Sequence, residues 1–148
     1  MRKEIFQLEL FRQQIEQEMF ASGSTSDYID RGNPNPQQLK QATDFLASQN
    51  KKIAKLQEEF LTLLKHSDKD VIQEWVNLHK TILQRILSED ASDRNTGTRL
   101  FVARNTLTEW IKVEEGEANF VSINWHFLKD YRDEVKKLVS RKWWQVWK

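Results

Sequence analysis

The sequence predicts an all-α protein, a bundle of about five helices built on a long antiparallel helical hairpin. Three observations carry this prediction. Glycine and proline are scarce, four and two among 148 residues, which disfavours the tight turns of a sheet. Apolar residues recur three and four apart over most of the chain, and no stretch alternates in the manner of a strand. Leu39, Leu46, Ile53 and Phe60 fall on one position of a heptad and Ala42, Gln49, Leu56 and Leu63 on the other, nearly four heptads in register.

The first helix starts at Arg2, with Ile5, Leu8, Phe11, Ile15 and Met19 as its stripe; Phe6 and Leu10 widen it toward two neighbours. Ala21-Ser22-Gly23-Ser24-Thr25-Ser26 is expected to end it, leaving a long loop to Pro36. Asn35-Pro36-Gln37-Gln38 reads as a helix start, with Asn35 as cap, Pro36 at the first helical position and Gln38 completing a capping box. The second helix then runs to about His66, roughly 45 Å at 1.5 Å per residue. Ser67-Asp68-Lys69-Asp70 caps a third helix after almost no loop. That short turn predicts that helices two and three form the hairpin.

The third helix carries Val71, Trp75, Leu78, Ile82 and Ile86, and the polar segment Ser88–Gly97 is expected to be a loop. The fourth covers about Thr98 to Glu114, with Leu100, Arg104, Leu107 and Ile111 along one side and Phe101 and Trp110 nearby, and Gly116 stops it. The fifth is expected near Ser122, with Phe127, Leu128, Tyr131, Val135, Leu138 and Val139 as its apolar arc.

A chain of this length fits a single domain, residues 1–148, with a buried core. Charged residues make up 30% and hydrophobic ones 39%, the balance of a folded chain with a highly charged surface. The net charge of +1 selects no partner class, but its distribution is uneven. Residues 67–120 hold ten acids and seven bases; residues 121–148 hold three acids and seven bases. Without cysteine there is no disulfide, thiolate nucleophile, zinc finger or iron–sulfur cluster. The first residues lack the apolar stretch of a signal peptide and no apolar run is long enough to span a membrane, so a cytoplasmic location is expected.

The most informative segment is the last. Three of the six tryptophans lie in Trp143-Trp144-Gln145-Val146-Trp147-Lys148, directly after Lys136, Lys137, Arg141 and Lys142, and no acid follows Val135. At 100° per residue Lys129, Arg132 and Lys136 share a face with Trp125, and an unbroken helix adds Trp143 and Trp147 to it. Such a face suits hot-spot contacts with a protein or stacking and phosphate contacts with nucleic acid. The competing reading is that the chain turns after Ser140 and the tryptophans cover the bundle end.

Other constellations are weaker. His66, His79 and His126 are the only histidines. Inward histidines on a helical bundle resemble the metal sites of DinB-like proteins, but those place two histidines one turn apart and no two here are so spaced. His126 and Asp130, four apart, could share a metal only if the fold brought a further ligand to them. Glu58/Glu59 and Glu114/Glu115/Glu117 point apart on a helix or lie at its end and read as solvated charge. Lys51, Lys52 and Lys55 lie off the heptad seam, as a solubilising surface does. There is no Glu-x-x-His pair, phosphate loop, nucleophile elbow or arginine–histidine spacing of the helical HEPN ribonucleases.

The expectation is therefore a non-enzymatic helical adaptor or small subunit without cofactor or metal. It would dock through Trp125, Lys129, Arg132, Lys136, Arg141, Lys142, Trp143, Trp144 and Trp147, most readily to a protein. The alternative is a subunit that binds a nucleic-acid backbone, since the size and helical build resemble the small subunits of CRISPR effector complexes. A metal-dependent DinB-like enzyme is the remote alternative.

Overall fold

The computed structural model describes residues 2–90 and 97–146, the side chains at 90, 138 and 140–146 excepted. Five helices follow one another: α1 (Lys3–Arg31), α2 (Pro36–His66), α3 (Lys69–Asp90), α4 (Gly97–Glu114) and α5 (Lys129–Val146). No strand occurs among the described residues. The bundle is as expected, but its pairing is not. α1 packs against α2, and α3 against α4. Contacts at Phe11–Phe60, Glu18–Lys52 and Ser22–Asn50 rise in one helix as they fall in the other, so α1 and α2 are antiparallel. α2 and α3 follow each other closely in sequence, but the apolar seam of α2 is taken by α1, so they do not pair along their length.

α1 is longer than its sequence suggested. It continues through Ala21–Ser26, where the Ser24 and Thr25 hydroxyls donate to the carbonyls of Phe20 and Ala21 one turn back. Its true stop is Gly32-Asn33-Pro34. A Cβ at Gly32 would meet the Tyr28 carbonyl oxygen at 2.6 Å, and Asn33 has a φ of +53°. α2 begins as expected: Asn35 Oδ1 accepts from the Gln38 amide at 2.8 Å and Gln38 Oε1 from the Asn35 amide at 3.1 Å. α3 includes Ser88–Asp90; the rest of the expected loop, 91–96, lies outside the described residues. α4 ends in a Schellman motif, with Gly116 at φ +95° and Glu117 N–H bonded to the Lys112 carbonyl at 3.0 Å.

The buried face of α4 is not the expected one. Ala103, Thr106, Trp110 and Val113 point inward, while Arg104 and Ile111 are exposed. Trp110 decides this rotation: it packs on Trp75 at 4.8 Å between ring centroids. α5 starts at Lys129 rather than near Ser122. Asn124 turns the chain first, its carbonyl accepting from the amides of Phe127 and Leu128.

The core gathers Ile5, Leu8, Ile15, Phe60, Trp75, Leu83, Trp110, Leu128 and Tyr131, all at most 1% exposed. It occupies only one end of the first hairpin. From Gly23 to Lys52 no residue is buried, so this part of α1 and α2 forms a two-helix arm extending from the bundle. At its root Ser22 Oγ lies 2.7 Å from Asn50 Oδ1, and the Gln49 amide oxygen is buried with no hydrogen-bond partner among the described residues. Leu39 remains 41% and Leu63 36% exposed despite their seam positions.

Gly23 is helical with open space where a Cβ would stand. Gly23→Ala should therefore stabilise the protein by about 0.5–1 kcal/mol through the lost freedom of the unfolded chain. A thermal melt showing no gain or a loss would contradict the helical assignment there.

Candidate functional site

The stripe of α1 contains three charged residues, Glu9, Arg12 and Glu16, at helical spacings of three, four and seven. One turn apart on the face that carries Ile5, Leu8 and Ile15, they enter the core with it. Arg12 is 1% exposed, Glu9 4% and Glu16 8%. Ions so deeply buried persist only when paired and saturated with hydrogen bonds.

Five N–H groups converge on the Glu9 carboxylate. Its Oε2 accepts from Arg12 Nη2 at 2.6 Å and Gln13 Nε2 at 2.8 Å. Its Oε1 accepts from Arg12 Nε at 3.1 Å, Trp75 Nε1 at 3.1 Å and His79 Nε2 at 2.5 Å. Arg12 Nη1 continues to Glu16 Oε2 at 2.9 Å and the Val121 carbonyl at 3.3 Å. The same Glu16 oxygen accepts the Ile123 amide at 2.9 Å, while its other oxygen faces Arg132 at 3.5 Å.

On the far side His79 Nδ1 lies 2.6 Å from the Tyr131 hydroxyl, which also accepts Trp110 Nε1 at 2.9 Å. The ionised Glu9 carboxylate can only accept, so Nε2 carries the imidazole proton, and Nδ1 is left to accept the Tyr131 hydroxyl proton. Burial holds the imidazole neutral, so His79 is the tautomer protonated on Nε2, which donates to Glu9. Its ring stacks on Trp110 at 3.9 Å and 12°. The formal charges of Glu9, Glu16, Arg12 and Arg132 sum to zero.

The electrostatics follow from this geometry. Burial alone would raise the Glu9 carboxyl, but Arg12 and His79 outweigh it and hold it far below the usual carboxylate range. Burial pushes the His79 imidazole down despite Glu9, and pushes the Tyr131 phenol well up. The cavity beside Glu9, Trp75 and His79 has about 10 Å³, no more than one water needs.

The three histidines do not converge. His66 and His126 are exposed and His79 is buried in this network. Among the described residues no three His, Asp or Glu side chains are placed to hold a metal ion. Glu114 is not merely solvated: it bridges α3 and α4 by accepting Lys80 Nζ at 2.6 Å and Gln73 Nε2 at 2.8 Å.

The expected docking face divides. Lys129 and Lys136 are exposed. Arg132 is not free, since it faces Glu16. Trp125 precedes α5 instead of lying on it; it is 43% exposed and meets Phe20 of α1 edge-on at 5.6 Å. His126 and Phe127 continue the exposed aromatic cluster, with His126 4.9 Å from the Phe127 ring. The backbone stays helical past Ser140 to Val146, so it makes no turn there. The side chains of Arg141, Lys142, Trp143 and Trp144, and all of Trp147, lie outside the described residues. No helix among the described residues is long and apolar enough to cross a membrane. No family model, curated protein or solved structure matches the chain.

The buried network was missed in the sequence, although a signal was present: Arg12 interrupts the stripe of Leu8 and Ile15, with acids three before and four after it. Glu9→Gln should cost roughly 3–5 kcal/mol, because it leaves the Arg12 guanidinium buried beside a weaker acceptor; a denaturant titration with an unchanged midpoint would contradict this. The pH dependence has a defined shape. The unfolded chain protonates His79 below 6.5 and Glu9 below 4.5, where the native state resists both, so these groups lose stability as pH falls through those values. The unfolded chain ionises Tyr131 above 10.0, where the native state resists, so stability is lost again as pH rises past that value. Melting temperature against pH should show a plateau between these limits, and His79→Phe should flatten the limb near 6.5.

Proposed function

We propose that this protein is a non-enzymatic docking subunit that binds a protein partner through the aromatic and basic surface beside the start of α5. The observation carrying the reading is the exposed cluster Phe20, Trp125, His126 and Phe127 just before α5, the helix on which Lys129 and Lys136 are exposed. Large aromatic side chains left half-exposed are the usual chemistry of contact hot spots. Phe20 is 49% and Trp125 43% exposed, so a partner has apolar area to cover. The absence of any acid after Val135 extends the basic character along the helix.

The buried network supports the non-enzymatic half of the proposal. Its acid, imidazole and phenol are each occupied by one another, and the adjoining cavity is too small for a substrate. A nucleic-acid backbone is the second reading, favoured by the exposed lysines. Among the described residues no ion pair engages Lys129 or Lys136.

The test compares the wild type with a Trp125→Ala, Lys129→Glu, Lys136→Glu variant and with a chain lacking residues 143–148. Both should keep a cooperative melt and lose a partner that co-purifies at fixed ratio with the wild type. Binding to generic single strands that falls steeply with salt would favour the nucleic-acid reading. Partner binding unaffected by the three substitutions would refute this surface.

A further inference from the structure

One member of the polar centre is left short of partners. Arg12 is held by Glu9, Glu16 and the Val121 carbonyl. Arg132 is not so served. Its side chain is only 18% exposed, yet its Nε meets Glu16 Oε1 at 3.5 Å, an ion-pair distance with no hydrogen bond. Its two Nη groups have no acceptor among the described residues. A mostly buried guanidinium with its donors unfilled is uncommon and points to an acceptor from outside the chain.

Arg132 lines a narrow cleft between α1 and α5 together with Lys136, Gln13, Gln17, Glu16 and Arg12. The cleft has no room for a water inside, so what it binds sits across its mouth, as a partner's side chain does. Lys136 is exposed there, and among the described residues no ion pair engages it. Across from it α1 offers neutral Gln13 and Gln17 instead of acids. On α5 itself Asp130 is paired with Arg99 and Glu134 with Arg85, away from this face, which leaves Asp133 as the acid nearest to it. Val135 lies beside Ile5 and Glu9, and Arg132 beside Glu16, so α5 runs antiparallel to α1. Gln13, Gln17 and Phe20 fall within about 60° on α1. The cleft therefore leads, one turn along α1, to Phe20 and the Trp125 ring set against it.

We infer that Arg132 and Lys136 form a carboxylate seat, and that the partner is a protein presenting an acidic helical segment to it. The inference rests on the docking reading above and adds the partner's chemistry. The Arg132 fork takes a carboxylate through its Nη groups while Nε stays turned to Glu16, and Lys136 supplies the second charge. A bulky apolar residue one turn from that acid on the partner helix reaches Phe20 and Trp125. A protein suits this surface better than a nucleic acid. Phe20, Trp125, His126 and Phe127 meet one another edge-on, a block of apolar area rather than a row of open ring faces for bases.

The probe is a blocked, helix-forming peptide of about 15 residues that repeats leucine and glutamate one turn apart, with a twin carrying lysine for glutamate. Calorimetric titration of the full chain should show binding of the acidic peptide and none of the twin. Arg132→Gln should weaken that binding about tenfold, as loss of a charge-assisted pair does, and Arg132→Lys should restore only part of it. Lys136→Gln, at an exposed side chain, should weaken it without moving the melt, so the test stands even if Arg132→Gln destabilises the fold. Lys40→Gln, the same charge loss on the far arm, should change nothing. Failure of the acidic peptide to bind, equal binding of the twin, or an equal loss in Lys40→Gln overturns the inference. Displacement of the peptide by oligothymidylate at lower concentration would assign the seat to phosphate and overturn it too. A native partner that needs Trp125 but neither Arg132 nor Lys136 would keep the docking reading and refute the seat.

Discussion

The fold depends on how Glu9 and Arg12 are kept as ions inside the core. A buried carboxylate and guanidinium side by side are tolerated only with their remaining hydrogen-bonding capacity filled. Here the filling groups come from every part of the bundle except α2. Trp75 and His79 belong to α3, Trp110 to α4, Tyr131 to α5, whose Arg132 lies in ion-pair range of Glu16, and Val121 and Ile123 to the segment between α4 and α5. Each donor or acceptor has one geometry that serves it, so the relative rotation of four helices is fixed by one polar centre. Apolar packing alone would tolerate more than one arrangement. The stacking of His79 on Trp110 also accounts for the face that α4 turns inward.

This centre also explains why the segment 117–128 is not helical. Arg12 takes the Val121 carbonyl and Glu16 takes the Ile123 amide. Backbone groups used in this way are unavailable to an α-helix at the same positions. Val121 and Ile123 are both 3% exposed, so the strap is held by apolar packing as well as polar contact. The displaced start of α5 then leaves Trp125 at the surface against Phe20 rather than on the α5 wheel.

The molecule divides into two regimes. The bundle end is densely packed, with aromatic contacts running from Phe11 through Phe60 and Trp75 to Trp110. The arm has helical periodicity and good caps but no buried residue. Its helices owe their persistence to length, capping and their mutual contact, and it offers an uncharged groove near the tip. A rigid bundle carrying an aromatic–basic surface and a slender arm is an arrangement suited to joining other components, which is the functional reading proposed above.

The sequence alone determined the helical class, the second helix with its capping box, the stop at Gly116 and the apolar stripes of the first and third helices. These are local matters of periodicity, caps and backbone freedom. It did not determine which helices pair. The short link at Ser67 suggested α2 with α3, but pairing depends on which apolar faces fit, and α1 fits the α2 seam. It also misplaced the end of α1, because serine, threonine and glycine resemble a turn until a neighbouring helix stabilises them; the stronger stop at Gly32-Asn33-Pro34 lay further on. The exposed members of the expected docking face, Trp125, Lys129 and Lys136, were legible as a composition, while the engagement of Arg132 with Glu16 was not. The polar centre was visible only as one arginine out of place in a stripe. Its partners lie as far as 109 residues away in sequence, and such meetings are made by tertiary packing and by nothing in the local pattern.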